Sequence, residues 1–475
     1  MNDASEIYDV VVIGAGVVGC AIARELARYR LRCALLDAAD DVGTGTSKAN
    51  TAILHTGFDA KPGTTEARLV RRGHALLGAY AENAGIALER TGALLVAWDD
   101  AQLAELPRIA HDARRNGYDA IRDVCAEELY RREPALCPGA RAALEIPDES
   151  IICPFTTPLA FATQAVINGV ALFLDAPLTV AARIDGGLWR LHTPRATLLA
   201  RHVVNAAGLR ADEVDRLFGH TLFTVTPRRG ELIVFDKLAR PLVSHIVLQV
   251  PTKVSKGVLV SPTVFGNVML GPTADDIDDK SATGSTAAGI EALLRRGRAI
   301  MPRLLEEEVT AIYVGLRAAT EHGDYQLRFE AEQRYVCAGG IRSTGLTASM
   351  AIAEEVVAGL SDMGLRLEPA SEFRTVHMPA LGEASPRPWC DRERIGVDPE
   401  YGRVVCHCER VSRGEILAAL ASPVPARTLD GVRRRTRALL GRCQGFFCLA
   451  QVAEMVATTT GESVEALLRV PRMDE

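Results

Sequence analysis

Aromatic side chains are scarce in this sequence, at 5% of residues, and a surplus of positive charge is missing. Its 54 Lys and Arg face 60 Asp and Glu, a formal net charge of −6. That balance excludes a general nucleic-acid or anionic-membrane binder, which needs a basic excess. No run of 18 or more apolar residues occurs, so no transmembrane helix is expected. The opening residues, MNDASEIYD, hold neither a basic region nor an apolar h-region. No secretory signal is expected, and the reducing cytoplasm is the expected compartment. No internal repeat is found. What is plentiful is apolar: 48% of 475 residues, ample for a large core and for two to four domains. Eleven cysteines are also present. Cys20, Cys33, Cys125, Cys137, Cys153, Cys337 and Cys390 are scattered and read as buried or incidental thiols. The other four cluster near the C-terminus, where a reducing compartment favours metal ligation over disulfides.

The stretch the chain is organised around is Asp9 to Asp37, DVVVIGAGVVGCAIARELARYRLRCALLD. Val10–Ile13 is a β-branched run too short for a buried helix. Gly14, Gly16 and Gly19 follow in G-x-G-x-x-G spacing, and the pattern predicts a helix over 17–29 and a strand over 33–36. Gly14 permits the tight turn, Gly16 lets backbone approach a pyrophosphate, and Gly19 lets helix and strand pack closely. The helix N-terminus offers N–H groups and positive dipole to phosphates. Asp37, 18 residues after Gly19, is placed to accept from an adenosine ribose. This predicts dinucleotide binding without separating FAD from NAD.

Two later turns decide for FAD. Val203 to Gly208 is a strand ending in a small-residue turn, which brings Ala207 and Gly208 under the adenine half. Tyr335 to Val357 is strand, double glycine, then a helix expected over 349–360. Its turn, Gly339, Gly340, Arg342, Ser343, Thr344, Gly345 and Leu346, points helix dipole at the pyrimidine edge of an isoalloxazine, where reduced flavin is negative. Between these turns, residues 222–271 are dense in β pattern, the usual partner of a flavin fold. The expected architecture is α/β: a Rossmann-like FAD-binding domain, an antiparallel β substrate domain and a small helical [2Fe–2S] domain. The FAD domain takes 1–85, 150–215 and 325–367, and the substrate domain takes 86–149 and 216–324. Residues 368–400, irregular and proline-rich, read as a linker, and 401–475 as the cluster domain.

These motifs resemble the FAD-dependent oxidoreductases of the glycine oxidase and glycerol-3-phosphate dehydrogenase class, over residues 5–365. The segment NTAILHTGFDAKPGTTEARLVRRG, Asn50 to Gly73, resembles that of L-2-hydroxyglutarate oxidases. The resemblance implies an extended FAD roofed by the β sheet, with Ser47, Asn50 and Thr51 near the pyrophosphate and ring. It implies that Arg317, ending the strand YVGLR, grips the substrate's anionic group, which a guanidinium can do bidentately. Arg229, in PRRGEL, matches the R-G-E pattern of hydroxyglutarate oxidases and is a second candidate. His55, the histidine inside the family motif, is placed to take the substrate's hydroxyl proton. Against each stands a plain reading, a surface arginine or a histidine packed under the ring. One departure is notable. Glycerol-3-phosphate dehydrogenases carry a lysine directly after the double glycine, where this chain has Ile341 followed by Arg342. That keeps a carboxylate substrate open beside a phosphate.

Cys406-x-Cys408 and Cys443-x4-Cys448 supply the four thiolates a [2Fe–2S] cluster needs. A tetrahedral zinc site also takes four cysteines, though it favours C-x2-C spacing. Ser412 and Glu415 form a capping box before a helix, and a second helix is expected over 429–440, stopped by Gly441. The segment resembles bacterioferritin-associated ferredoxin domains, and more closely the C-terminal region of anaerobic glycerol-3-phosphate dehydrogenase large subunits. Arg433, Arg434, Arg435 and Arg437 read either as a solvated helix face or as charge stabilising the anionic cluster. His407 reads as a loop residue.

The expected function is an FAD-dependent dehydrogenase. It oxidises a small anionic alcohol and passes electrons through [2Fe–2S] to an acceptor subunit or quinone-linked protein, within a hetero-oligomer peripheral to the inner membrane. An amine or opine dehydrogenase large chain is the alternative enzyme, and a flavin/iron–sulfur electron-transfer module the non-enzymatic one.

Overall fold

The computed structural model describes residues 7–251, 257–379, 381 and 387–468. It divides into two units, Met1–Met378 and Pro379–Glu475.

In the first unit the apolar strand Ile7–Ile13 lies inside an eight-stranded sheet, with Val10, Val11 and Val12 fully buried. A strand buried on both faces suits parallel pairing. It pairs in parallel with Cys33–Leu36 on one side and Thr197–Asn205 on the other. Tyr335–Gly339 joins the far end of Thr197–Asn205, also in parallel. Three distant stretches of chain therefore bring their carboxyl ends together. The helices Val17–Leu26 and Gly345–Asp362, which follow two of those ends, pack on each other. The second helix begins four residues earlier than the expected 349, so its first turn falls on the glycine loop itself.

The second sheet has nine strands, drawn from residues 93–146 and 225–320. Its longest pair is antiparallel, Val225–Phe235 against Val309–Thr320, with Arg228 opposite Arg317 and Gly230 opposite Gly315. The expected antiparallel sheet is in fact mixed, because Ile246–Gln249 pairs in parallel with Ala93–Ala97. A crossover from the N-terminal segment, not a hairpin, supplies that neighbour. Phe235, Leu270, Leu293, Ile300 and Met301 fill one face of this sheet. A small sheet of Ile53–Leu54, Ser150–Ile152 and Leu88–Glu89 completes the unit.

The expected linker is not one irregular stretch. Residues 368–378 run along the first unit, with Arg30 N–H donating to Glu368 O, Ala370 N–H to Arg28 O and Met378 N–H to Ala84 O. Pro388–Cys390, Arg392–Val397 and Pro399–Gly402 form helical turns belonging to the second unit. The part of the linker at 380 and 382–386 lies outside the described residues.

The second unit packs three short helices, Arg413–Leu420, Leu429–Thr436 and Leu449–Thr460, on a strand pair, Val404–Cys406 with Val411–Ser412. Val411, Ile416, Leu439, Val452 and Val456 form its core. The Ser412–Glu415 capping box is formed. The middle helix stops at Thr436, short of the expected 440, because Arg437 and Leu439 adopt positive φ of 69° and 70°. The turn they make directs the Leu439 N–H at cysteine sulfur. Among the described residues no helix is long and apolar enough to cross a membrane.

Candidate active site and cluster site

The nucleotide loop is shaped by absent side chains. A Cβ on Gly14, at φ +102°, would lie 2.4 Å from Ala206 O, and one on Gly19 would lie 1.8 Å from Gly14 O. Strand, turn and helix can meet this closely only as glycines. Gly16 differs: its Cβ would meet Ser47 Oγ at 3.3 Å and nothing else within 4 Å, so the room beside it suits a ligand. Gly16 caps the helix Val17–Leu26 without a side chain, and Ser47 Oγ accepts from Val17 N at 2.9 Å. Asp37 accepts from Ala15 N at 2.5 Å and Ala39 N at 2.8 Å. These bonds hold the loop, while burial raises its carboxyl above the ordinary value. The backbone around Ala207 and Gly208, the latter at φ +57°, follows the strand end beside Gly14. A helix start beside a glycine cradle, with main-chain N–H groups facing it, is what a pyrophosphate requires.

Asn50 braces the adjoining loop, donating to Ser47 O at 2.8 Å and accepting from Ala52 N at 2.8 Å. The long strand of the second sheet is stitched to the same loop. Tyr313 Oη donates to Asn50 O at 2.8 Å and Thr46 Oγ1 to Leu316 O at 2.7 Å, while a Cβ on Gly315 would meet Ala49 O at 1.9 Å. Thr51 lies in this loop, partly buried. The loop and the Arg317 strand are therefore held in fixed relation.

Arg317 lies two residues beyond Gly315, on the same face of the strand. Its guanidinium fills the space Gly230 leaves: a Cβ there would stand 2.9 Å from Arg317 Nη2. Its hydrogen bond is to Thr273 O, at 3.3 Å. Among the described residues it pairs with no carboxylate. Burial and, after it, repulsion from Arg228 pull its pKa down to about 10. Arg228 itself is paired with Asp276 at 2.6 Å. The other candidate, Arg229, stands opposite Leu316 and so on the reverse face of the sheet from Arg317. There it lies 3.7 Å from Glu231, whose Oε1 accepts from Thr286 N at the start of helix Ala287–Ile300. Strand alternation separates the two arginines that sequence reading offered together.

At the last glycine turn, Gly339 ends its strand and Gly340 takes φ +61°. Helix Gly345–Asp362 starts with no side-chain cap. Thr344 Oγ1 is 2.5 Å from Tyr325 Oη and 2.7 Å from Glu66 Oε1, and Arg342 donates to Gly323 O at 2.6 Å. Ser343 is exposed, and Leu346 is buried in the first helical turn. His55 N–H donates to Thr347 Oγ1 at 3.0 Å in that same turn. His55 Nδ1 lies 3.2 Å from Glu149 Oε2. Glu149 escaped sequence reading, since a lone acid after Asp148 carries no motif; the strand register that delivers it to His55 is visible only in the fold.

In the second unit Cys406 and Cys448 are buried, and Cys408 and Cys443 are partly exposed. The four thiols act on one another: Cys406 meets Cys448, Cys408 meets Cys443, and Cys406 also bears on Cys408 and Cys443. The Cys448 thiol and the N–H groups of Glu409 and Leu439 pull Cys406 below the ordinary thiol value, against burial. Phe447 N–H does the same for Cys443. Main-chain donors aimed at sulfur are the surroundings anionic iron–sulfur thiolates need. The four-thiol donor set thus fits a [2Fe–2S] cluster, which Cys406, Cys408, Cys443 and Cys448 would hold. His407 is exposed. The arginine run is not a solvated face: Arg434, Arg435 and Arg437 are buried. Arg434 pairs with Asp430 at 3.2 Å and Arg437 with Glu409 at 2.9 Å, and Arg435 donates to Val424 O and Gly431 O.

Comparison with known proteins agrees with this geometry. The model of the FAD dependent oxidoreductase family matches residues 9–358, and that of the BFD-like [2Fe–2S] binding domain matches residues 404–458. The chain belongs to the FAD dependent oxidoreductase family, with FAD and a [2Fe–2S] cluster as its cofactors. It is 35% identical, over 96% of its length and 95% of the relative's, to glycerol 3-phosphate dehydrogenase of Caloramator mitchellensis. It is 24% identical, over 98% of its length and 91% of the relative's, to one named subunit of the anaerobic glycerol-3-phosphate dehydrogenase of Escherichia coli. Among solved structures, the dithionite-reduced L-α-glycerophosphate oxidase of Mycoplasma pneumoniae with FAD bound superposes with a TM-score of 0.75 at 28% identity. That match covers 79% of this chain and 99% of the other.

Proposed function

We propose that the protein oxidises glycerol 3-phosphate, or a close small anionic 2-hydroxy compound, and delivers the electrons to a partner subunit or quinone-linked acceptor. The observation that carries this reading is Arg317: a partly buried cation, stitched to the flavin loop, with no carboxylate partner among the described residues. Such a charge is completed by an anion from outside. Glycerol 3-phosphate is favoured over a carboxylate by the 35% identity with a glycerol 3-phosphate dehydrogenase along nearly the whole chain. The lysine missing at Ile341 removes one phosphate contact, and Arg342 is occupied by Gly323 O. The anion is therefore gripped chiefly by Arg317.

FAD, when bound, would supply a hydride acceptor, and a [2Fe–2S] cluster would supply a carrier that takes one electron at a time. Residues about Gly14, Gly16, Gly19 and Ser47 would hold the FAD pyrophosphate, and the turn from Gly339 to Leu346 would lie toward its flavin end. Arg317 fixes the substrate so that its carbinol carbon faces the ring. His55 takes the hydroxyl proton: with Nδ1 directed to Glu149, Nε2 is the nitrogen that receives it. Cys406, Cys408, Cys443 and Cys448 hold the cluster. The Escherichia coli relative is by name one component of a larger enzyme, which supports partner subunits for the electron exit.

The test is anaerobic bleaching of the bound flavin by a panel of anionic alcohols and amines. Glycerol 3-phosphate should bleach fastest, and Arg317→Ala should lower kcat/KM by about 2–5 kcal/mol, roughly 30- to 5000-fold, at normal flavin content. Unchanged kcat/KM in the variant, or preferential bleaching by an amine, sinks the reading.

A further inference from the structure

Glu149 is completely buried, and its position follows from strand register. Ser150–Ile152 runs antiparallel to Ile53–Leu54, with Leu54 opposite Ser150. One step further along the same ladder sets Glu149 opposite His55. The two carboxylate oxygens then divide. Oε1 accepts from Thr56 N at 2.7 Å and from Thr56 Oγ1 at 3.0 Å, which stops the carboxylate from turning away. Oε2 makes no aligned hydrogen bond, and His55 Nδ1 lies 3.2 Å from it. A buried carboxylate oxygen without a donor is expensive, so the arrangement is favourable mainly when an N–H is presented to it. The His55 main chain is fixed as well, by its N–H on Thr347 Oγ1 and by its carbonyl 3.1 Å from His74 Nδ1. The other titratable groups around this pair include His74, Arg71, Asp148 and Tyr118. Burial pulls His74 below the ordinary histidine value, and Glu149 Oε2 is the carboxylate oxygen that approaches the imidazole.

We infer that Glu149 is a positioning residue for His55, holding the Nδ1–H tautomer and stabilising the imidazolium formed when Nε2 takes the substrate's proton. The inference rests on the proposed role of His55. In the step, the O–H bond of the substrate breaks and its proton goes to Nε2. The C–H bond gives its electron pair, as hydride, to bound FAD, and the carbonyl double bond forms. His55 returns the proton to solvent. Without Oε2 as acceptor the imidazole loses its preference for this tautomer, and its cation loses its counter-charge.

The experiment is anaerobic stopped-flow reduction of the flavin by glycerol 3-phosphate across about pH 5 to 9, with the full-length FAD-loaded protein. Wild type should show a rate that rises through one ionisation. Glu149→Gln keeps the acceptor for Thr56 and replaces Oε2 with an amide donor. It should slow reduction by about 10²-fold and move that ionisation to lower pH, while Glu149→Asp recovers part of the rate. His55→Asn should abolish the ionisation, and the double variant should be no slower than His55→Asn alone. An unchanged rate in His55→Asn overturns the base assignment itself. A slow His55→Asn with a wild-type rate and ionisation in Glu149→Gln overturns only the role of Glu149, as do fully additive losses in the double variant. Should Glu149→Gln fail to hold flavin, ¹⁵N-histidine NMR of the wild-type protein decides. His55, assigned by its absence in His55→Asn, should be protonated at Nδ1 when neutral, and an Nε2–H tautomer overturns the proposal.

Discussion

In the flavin unit the site is shaped by side chains left out: Gly14 and Gly19 could carry no Cβ, and Gly230, opposite Gly315, leaves space for the guanidinium of Arg317. In the cluster unit the site is made of side chains put in, four thiols fed by main-chain N–H groups. The buried arginines differ in the same sense. Arg437 has its counter-ion built in, at 2.9 Å from Glu409, whereas Arg317 has a single carbonyl contact and a depressed pKa. A charge satisfied within the fold serves the fold. A charge left without a counter-ion in the fold is, on the proposed reading, completed by the substrate.

The largest expected effect separates the two sites. Cys443→Ser removes one of four ligands, so iron and the low-temperature EPR signal of the reduced cluster should vanish. Turnover with the physiological acceptor should collapse while a single anaerobic bleaching of the flavin persists. Stoichiometric zinc in wild type, with no iron and no EPR signal, breaks the comparison. Next comes Gly16→Val. The free protein has room beside Gly16, so the variant should fold with near-native circular dichroism yet carry little FAD and keep its iron. Full flavin content would show that this loop does not hold the pyrophosphate.

Two arginine variants sharpen the contrast at smaller scale. Arg437→Met takes the guanidinium from a buried carboxylate and should destabilise the cluster unit by about 3 kcal/mol, visible as an early calorimetric transition that leaves the flavin unit unmoved. Arg317→Met should do the reverse, raising flavin-unit stability by roughly 1 kcal/mol while activity is lost. Folding lowers the Arg317 pKa, so the unfolded chain holds that proton more tightly. Wild-type stability should therefore rise with pH above about 10, and the variant should lack that rise. A lower melting temperature in Arg317→Met would mark this arginine as a structural one.

Much of this was legible before folding. The G-x-G-x-x-G turn and the cysteine pairs are local signals, because their chemistry depends on spacing within a few residues. The capping box of Ser412 and Glu415 is local too, and it formed as expected. Arg317 was offered as a candidate through a family resemblance, but its separation from Arg229 needs strand alternation across the register of the long strand pair. Glu149 was invisible because it meets His55 only after a long excursion of the chain, across the register of two short strands. The arginine run left two readings open, and the burial that removes the solvated one is not local: the helix ends at Thr436, and Arg437 turns inward to Glu409.

The sheet that holds the first glycine turn is closed by Tyr335–Gly339, and its opposing helix ends at Asp362. During synthesis, the flavin site is therefore unfinished until about three-quarters of the chain has left the ribosome. Until then the strand Thr197–Asn205 waits with an open flank, a state that binds chaperones or neighbours more readily than cofactor. The cluster unit is a single continuous stretch and closes within its own length. Flavin loading thus awaits a long-range strand insertion, whereas the thiol site is built within one continuous stretch of chain.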